Sequence, residues 1–169
     1  MTIGSLAVFY VYWICFKLRT IKIMKKVIYT AFICALCLFF SCSIEPESIN
    51  YGTDACSFCK MTIVDQQHAA QYVTNKGKQF KFDAIECMVN DLGEKESDDI
   101  AIFLVADYDS PGHMVPAISS VYLISPAIKS PMGANLSGFA SNEKALITQK
   151  NSGGDLYSWQ ELLIKFDAE

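Results

Sequence analysis

The hydrophobic pattern of this 169-residue chain changes character twice along its length. Two long apolar runs come first, at 3–16 and 27–40, with no polar alternation in either. A polar stretch follows, Ser43-Ile44-Glu45-Pro46-Glu47-Ser48-Ile49-Asn50-Tyr51-Gly52-Thr53. Beyond residue 60 the pattern becomes that of a folded domain. Segments 68–74 and 78–82 read as two strands joined across Asn75-Lys76-Gly77, and Gln79-Phe80-Lys81-Phe82 has the two-residue period of a half-buried strand. Asp83 is expected to cap a helix, with Glu86 as reciprocal partner of a capping box. Ala84, Ile85, Met88, Val89 and Leu92 form its apolar stripe, and Gly93 ends it. The unbroken run 100–106 (IAIFLVA) predicts a buried central strand.

The plan then repeats. Segments 121–124 and 136–139 are extended, 141–150 is helical, and Asn151-Ser152-Gly153-Gly154 breaks it. Ser158 with Glu161 forms a capping box leading into Leu162, Leu163 and Ile164. A shift of 57 residues lays Phe82 on Phe139 and Glu86 on Glu143. The expected fold class is α+β: two similar small ββα(β) units packed together, at 54–109 and 113–169, with 107–115 as the connection.

The N-terminal runs belong to targeting rather than fold. Lys25-Lys26, the apolar run 27–40 and Ser41-Cys42 describe a secretory signal peptide. The run is short against the roughly 20 residues that a spanning helix needs. A cysteine at the cut site points to lipoprotein processing, with Cys42 acylated as the first mature residue; an uncleaved signal anchor is the alternative. Met24 heads a complete signal of its own, so 24–41 is expected to be the signal peptide, 1–23 an upstream extension and 42–53 a polar tether. The resulting location is lipid-anchored at the cell membrane, facing the periplasm.

Removal of 1–41 takes away five basic residues and no acidic ones, leaving 9 Lys, no Arg and 18 Asp+Glu. The resulting net charge of −9 is a poor match to nucleic acid, whose phosphates demand a basic footprint. Of seven cysteines, Cys56, Cys59 and Cys87 remain beside Cys42. Three thiols cannot all pair within the chain, so one stays free.

Cys56-Ser57-Phe58-Cys59-Lys60-Met61 gathers two thiols and a thioether, a soft donor set suited to Cu(I). A redox motif of this spacing runs into a helix N-terminus. Here the β-branched Thr62-Ile63-Val64 follows instead, which disfavours a thiol–disulfide oxidoreductase. Structural zinc wants four N or S donors. Cys87 and a histidine can complete such a set, but there is no second CxxC and no HxxxH. A Cys56–Cys59 disulfide, stapling a structural lipoprotein, is the plainest alternative. In the second half, Ser130-Pro131-Met132-Gly133 places a methionine on a tight turn rather than in a packed helix. Cys87 reads as core packing beside Met88, His68 as an exposed or hydrogen-bonded residue at the start of a strand, and His113-Met114 as a pair in the connecting loop, with an auxiliary or partner-facing copper contact as its lesser reading. No Ser-His-Asp, P-loop or dinucleotide motif appears, and an enzyme is not expected.

Taken together, these residues resemble the NosL family, copper-binding accessory lipoproteins of nitrous oxide reductase assembly. The resemblance covers nearly the whole mature chain. It runs through Cys42, the Cys56/Cys59/Met61 motif, Lys81-Phe82-Asp83-Ala84-Ile85-Glu86-Cys87, Asp107-Tyr108, Pro131-Met132-Gly133, Gly138-Phe139 and Gly153-Gly154. It implies a membrane-anchored Cu(I) metallochaperone with Cys56, Cys59, Met61 and Met132 as ligands. The implied partner is a copper-accepting periplasmic enzyme, nitrous oxide reductase, or its assembly transporter complex. Which of the two thiols binds is left open.

Overall fold

The alternating stretches pair as antiparallel strands in two sheets. In the computed structural model, which describes residues 44–93 and 99–167, strands β1 (Ala70–Thr74) and β2 (Gln79–Phe82) form a hairpin whose turn has Gly77 at a φ of +77°. Helix α1 (Ile85–Gly93) follows, then β3 (Ile100–Ala106) and β4 (Met114–Pro116). After a 3-10 turn at Ala117–Ser119 come β5 (Val121–Ile124), β6 (Leu136–Phe139), α2 (Asn142–Ser152), β7 (Asp155–Tyr157) and α3 (Trp159–Asp167). The expected upstream extension, signal peptide and Cys42 lie outside the described residues.

Both sheets are built on one plan. The first has the order β2-β1-β3-β4 and the second β6-β5-β7, with every pairing antiparallel. In each, the leading strand of a ββαβ unit is flanked by the strand before the helix and the strand after it. Phe82 pairs with the first residue of β1, and Phe139 with the first residue of β5. The α+β class and the internal repeat are therefore real. The second unit also has a closing strand, β7, that the sequence did not suggest. It is three residues long and follows Gly153-Gly154, too short to show a period.

Four local readings change. Met114 is not in a loop: it starts β4, which pairs with β3, so the first sheet extends past residue 113. Strand β3 is interior to its sheet but fully buried only at Val105 and Ala106. The stretch expected to be a polar tether is bound down from Glu45 onward, where the Gln79 side-chain amide donates to the Glu45 carbonyl at 3.0 Å. Ile49 enters the core, Gly52 donates its N–H to the Ile63 carbonyl at 2.8 Å, and the Lys81 ammonium holds the Ser48 carbonyl at 2.8 Å. One isoleucine in a polar stretch carries no periodic signal. Finally, Asp83 and Glu86 do not form a capping box; both side chains are engaged by other segments, as described below. The Ser158–Glu161 box does form, with Ser158 N–H and Oγ each 2.8 Å from Glu161 Oε2.

One core joins the two halves. Tyr72, Phe82, Ile85 and Met88 from the first share a cluster with Tyr122, Leu136, Trp159 and Leu162 from the second. Because successive strand residues face opposite ways, Tyr122 of β5 serves this core. Its neighbour Leu123 faces a smaller cluster with Ile128, Phe139 and Ala145 of α2. Trp159 stacks near Phe103 and Tyr122, at centroid distances of 5.7 and 5.8 Å, and so ties α3 to both sheets. Helix α1 lies against β1, β2, β6 and α3, which is why it is buried on more than its apolar stripe.

Candidate metal centre

The CxxC segment is a tight loop laid along the outer edge of β2. Ser57 donates its N–H to the Lys81 carbonyl at 2.7 Å, and the Lys81 N–H returns to Ser57 Oγ at 3.2 Å. The loop thus covers a strand edge that would otherwise present unpaired groups. Lys81 also pairs with Asp54 at 2.7 Å and holds that carboxyl below its usual range. Within the loop, Cys56 donates its N–H to the Met61 carbonyl at 2.8 Å, and Lys60 donates to the Cys56 carbonyl at 3.1 Å. Closing so small a ring forces Lys60 to a φ of +67°, a left-handed position that favours glycine. An isolated bridge between Ala55 and Thr62 seals its base.

Main-chain amides of this loop point at sulfur. Cys56 Sγ receives N–H groups from Phe58, Cys59 and Asp83, and Cys59 Sγ receives that of Met61. No helix starts at Cys59, as the residues after it predict; the helix start that contributes an amide is that of α1, through Asp83.

The third sulfur comes from α1. Cys87 meets the loop, and the three sulfurs of Cys56, Cys59 and Cys87 all lie within 4.8 Å of one another, as free thiols. Cys87 is buried, as its place on the helical stripe predicts, and it also meets the two loop thiols, which the stripe does not predict. The stripe arithmetic showed that Cys87 was buried, not which loop it would meet. Cys87 donates to Cys56, and with the loop amides this pushes the Cys56 thiol down to about 5. The Cys87 thiol is correspondingly driven far up, first by that bond and then by burial, and burial raises Cys59. One thiolate shared among three sulfurs is the resting state this geometry favours.

Metal–thiolate bonds of about 2.3 Å hold sulfurs roughly 4 to 4.6 Å apart, so small side-chain movements convert this cluster into a coordination site. Zinc lacks its fourth donor here. His68 is 3% exposed and engaged at both nitrogens, with Asp65 Oδ2 3.0 Å from Nδ1 and Ser137 Oγ 3.3 Å from Nε2. It is a structural histidine bridging the two halves, and Asp65, His68 and Ser137 line up as a catalytic triad would. Ser137 is fully buried in β6, so no substrate reaches it. Among the described residues, no histidine or carboxylate joins the three thiols in a metal-ligating group. His113 is exposed.

The two methionines stand on separate segments. Met61 closes the thiol loop through its main chain and is half exposed, at 52%. Met132, at 42%, sits on the turn closed by the 3.1 Å bond from Gly133 N–H to the Ser130 carbonyl. That turn is fastened to Glu86, the neighbour of Cys87: Ser130 Oγ and the Ala134 N–H (3.3 Å) both donate to Glu86 Oε1. Asp83 is likewise engaged. Its carboxylate accepts the Val64 N–H at 3.2 Å, linking the end of the thiol loop to the start of α1.

Paired ββαβ units that carry a three-thiol cluster, with Cys56 and Cys87 buried and Cys59 partly exposed, where a loop meets a helix define a small α+β protein equipped for a soft metal ion. The chain belongs to the NosL family, whose family model matches residues 48–165. Among solved structures, the fold is similar to the crystal structure of the copper chaperone NosL from Shewanella denitrificans. The TM-score is 0.63 at 18% identity, over 71% of this chain and 96% of that one. No curated protein matches the chain.

Proposed function

We propose that this protein is a Cu(I) carrier rather than an enzyme, and that it passes copper on by ligand exchange. The observation that carries this reading is the convergence of the Cys56, Cys59 and Cys87 sulfurs within 4.8 Å. The copper chaperone named among the similar structures and the membership of NosL support it. Copper is cargo here. The Cys56 thiolate receives it, Cys59 or Cys87 completes a low coordination number, and the half-exposed thioethers of Met61 and Met132 serve as outer donors. An acceptor's ligands can then enter from the exposed side. A closed cage of four thiolates would hold the ion too firmly for transfer.

The oxidation state follows from donor softness: thiolates and thioethers favour Cu(I). The signal peptide and Cys42 would anchor the protein by lipid in the membrane, facing the periplasm, and nitrous oxide reductase or its assembly transporter would receive the metal. No helix among the described residues is long and apolar enough to cross a membrane.

A thiol–disulfide exchange activity is the second reading, favoured by the depressed Cys56 thiol. Exchange needs an accessible attacking sulfur, and Cys56 is 1% exposed, so copper carriage is the stronger assignment. Competitive Cu(I) titration of the reduced protein against a chromophoric chelator, with a Cys56→Ala/Cys59→Ala control, tests it. Tight one-to-one binding lost in the control is expected. Equal binding by both proteins would overturn the assignment.

A further inference from the structure

We infer that Glu86 is a positioning residue that registers the Met132 turn against the thiol cluster; the inference rests on the reading of Met132 as a copper donor. Glu86 and Cys87 are consecutive on the first turn of α1, so they face different neighbours from one rigid support. Cys87 faces the CxxC loop of the first half. Glu86 faces the second half, where its Oε1 accepts from Ser130 Oγ and from the Ala134 N–H, the residues on either side of Pro131-Met132-Gly133. Ser130 Oγ in turn accepts the Asn135 N–H at 2.9 Å. The turn is thus pinned at both ends to a single carboxylate oxygen, while Met132 at its tip remains outside.

Glu86 is 2% exposed, and its other oxygen, Oε2, has no hydrogen-bond partner among the described residues. A buried carboxylate without full satisfaction costs stability. A turn needs no such group to form, because the 3.1 Å bond from Gly133 N–H to the Ser130 carbonyl already closes it. What the carboxylate adds is register between two segments from different halves of the fold. Ligands of a weakly coordinated ion must be held in place by such supports.

The test compares the full-length reduced protein with Glu86→Ala, Glu86→Gln, Ser130→Ala, Met132→Ala and the Glu86→Ala/Met132→Ala and Ser130→Ala/Met132→Ala double variants. Each is titrated with Cu(I) against a chelator, with thermal unfolding and X-ray absorption counts of sulfur around copper. Met132→Ala is expected to weaken binding by about tenfold, equivalent to about 1.4 kcal/mol. Glu86→Ala should match that loss and the missing sulfur, and its double variant with Met132→Ala should lose no more than either single one. Glu86→Gln keeps the accepting oxygen and should bind as the parent does. If Glu86→Ala keeps parental affinity while Met132→Ala does not, or if their losses simply add, the positioning role is overturned and the ligand reading stands. If Met132→Ala binds as the parent does, the ligand reading itself fails. Should Glu86→Ala unfold, Ser130→Ala decides. A loss that vanishes in the Met132→Ala background supports the inference, and unchanged affinity overturns it.

Discussion

Asp83 and Cys56 are coupled across the junction of loop and helix: the main-chain N–H of Asp83 points at the Cys56 sulfur. The Asp83 carboxylate meanwhile takes the Val64 N–H at 3.2 Å and a further N–H from Asp65. A single residue, 1% exposed, thereby fixes the end of the thiol loop and contributes to the electrostatics of its first sulfur.

Asp83→Ala should cost about 1 to 3 kcal/mol of stability, because it strands amides in a partly buried place. Cu(I) affinity should fall with it, since the loop loses its register with Cys87. Thermal unfolding and chelator competition read both effects. A variant with parental stability would mean that those amides find water instead.

The Cys56 thiol provides a pH prediction. Cys87 donation and the loop amides depress it to about 5, below the ordinary thiol value of about 8.5. A folded-state value below the unfolded one means that this group's stabilisation is present above the unfolded value and is lost as pH falls through about 5. Thiolate ultraviolet absorbance of the reduced apo-protein should therefore show a step near that pH. Cys87→Ala, lacking the donor, should move the step upward. A single step in the ordinary thiol range would contradict the described sulfur geometry.

Met61 and Met132 are both half exposed, so their removal should leave the apo fold within about 0.5 kcal/mol of the parent. Cu(I) affinity should nonetheless drop in each. Unchanged affinity in both would remove the thioethers from the site and leave the three thiols alone.

Lys60 offers a stabilising change. Its left-handed backbone costs about 1 to 2 kcal/mol for a residue with a side chain. Lys60→Gly removes that cost but also loses the exposed 2.5 Å bond from the Lys60 ammonium to the Ser57 carbonyl, worth about 1 kcal/mol at most, so the unfolding temperature should rise modestly while Cu(I) affinity stays the same.

At Gly138 the two halves approach closely. A Cβ there would lie 3.1 Å from Val105 Cγ2, 3.2 Å from Ile85 Cδ1 and 3.3 Å from the Ala106 carbonyl oxygen. Gly138→Ala should destabilise by about 1 to 3 kcal/mol, measured by denaturant unfolding; a neutral result would show that β6 can shift away from the first sheet.

Periodicity and caps within single segments were legible in the sequence. The stripe of α1, the Ser158–Glu161 box and the matched positions of Phe82 and Phe139 all express local rules. What escaped was tertiary. Asp83 and Glu86 have the spacing of a capping box, yet each carboxylate finds a better donor in a distant segment. Cys87 looked like packing because a helical stripe tells burial and not neighbour. Ile49 and the three-residue β7 are too short to signal anything by period. That no helix follows Cys59 was readable from the residues after it, whereas the third sulfur became visible only in the fold.

The shared core sets the order in which this site can come into being. Trp159 and Leu162 close the same cluster that backs Cys56 and Cys87, but they leave the ribosome long after the CxxC loop does. Until they arrive, α1 has no cover on one side and the three sulfurs have no fixed neighbours. The three sulfurs therefore gain their mutual geometry only when the last helix has docked, although two of them lie close to the start of the folded domain.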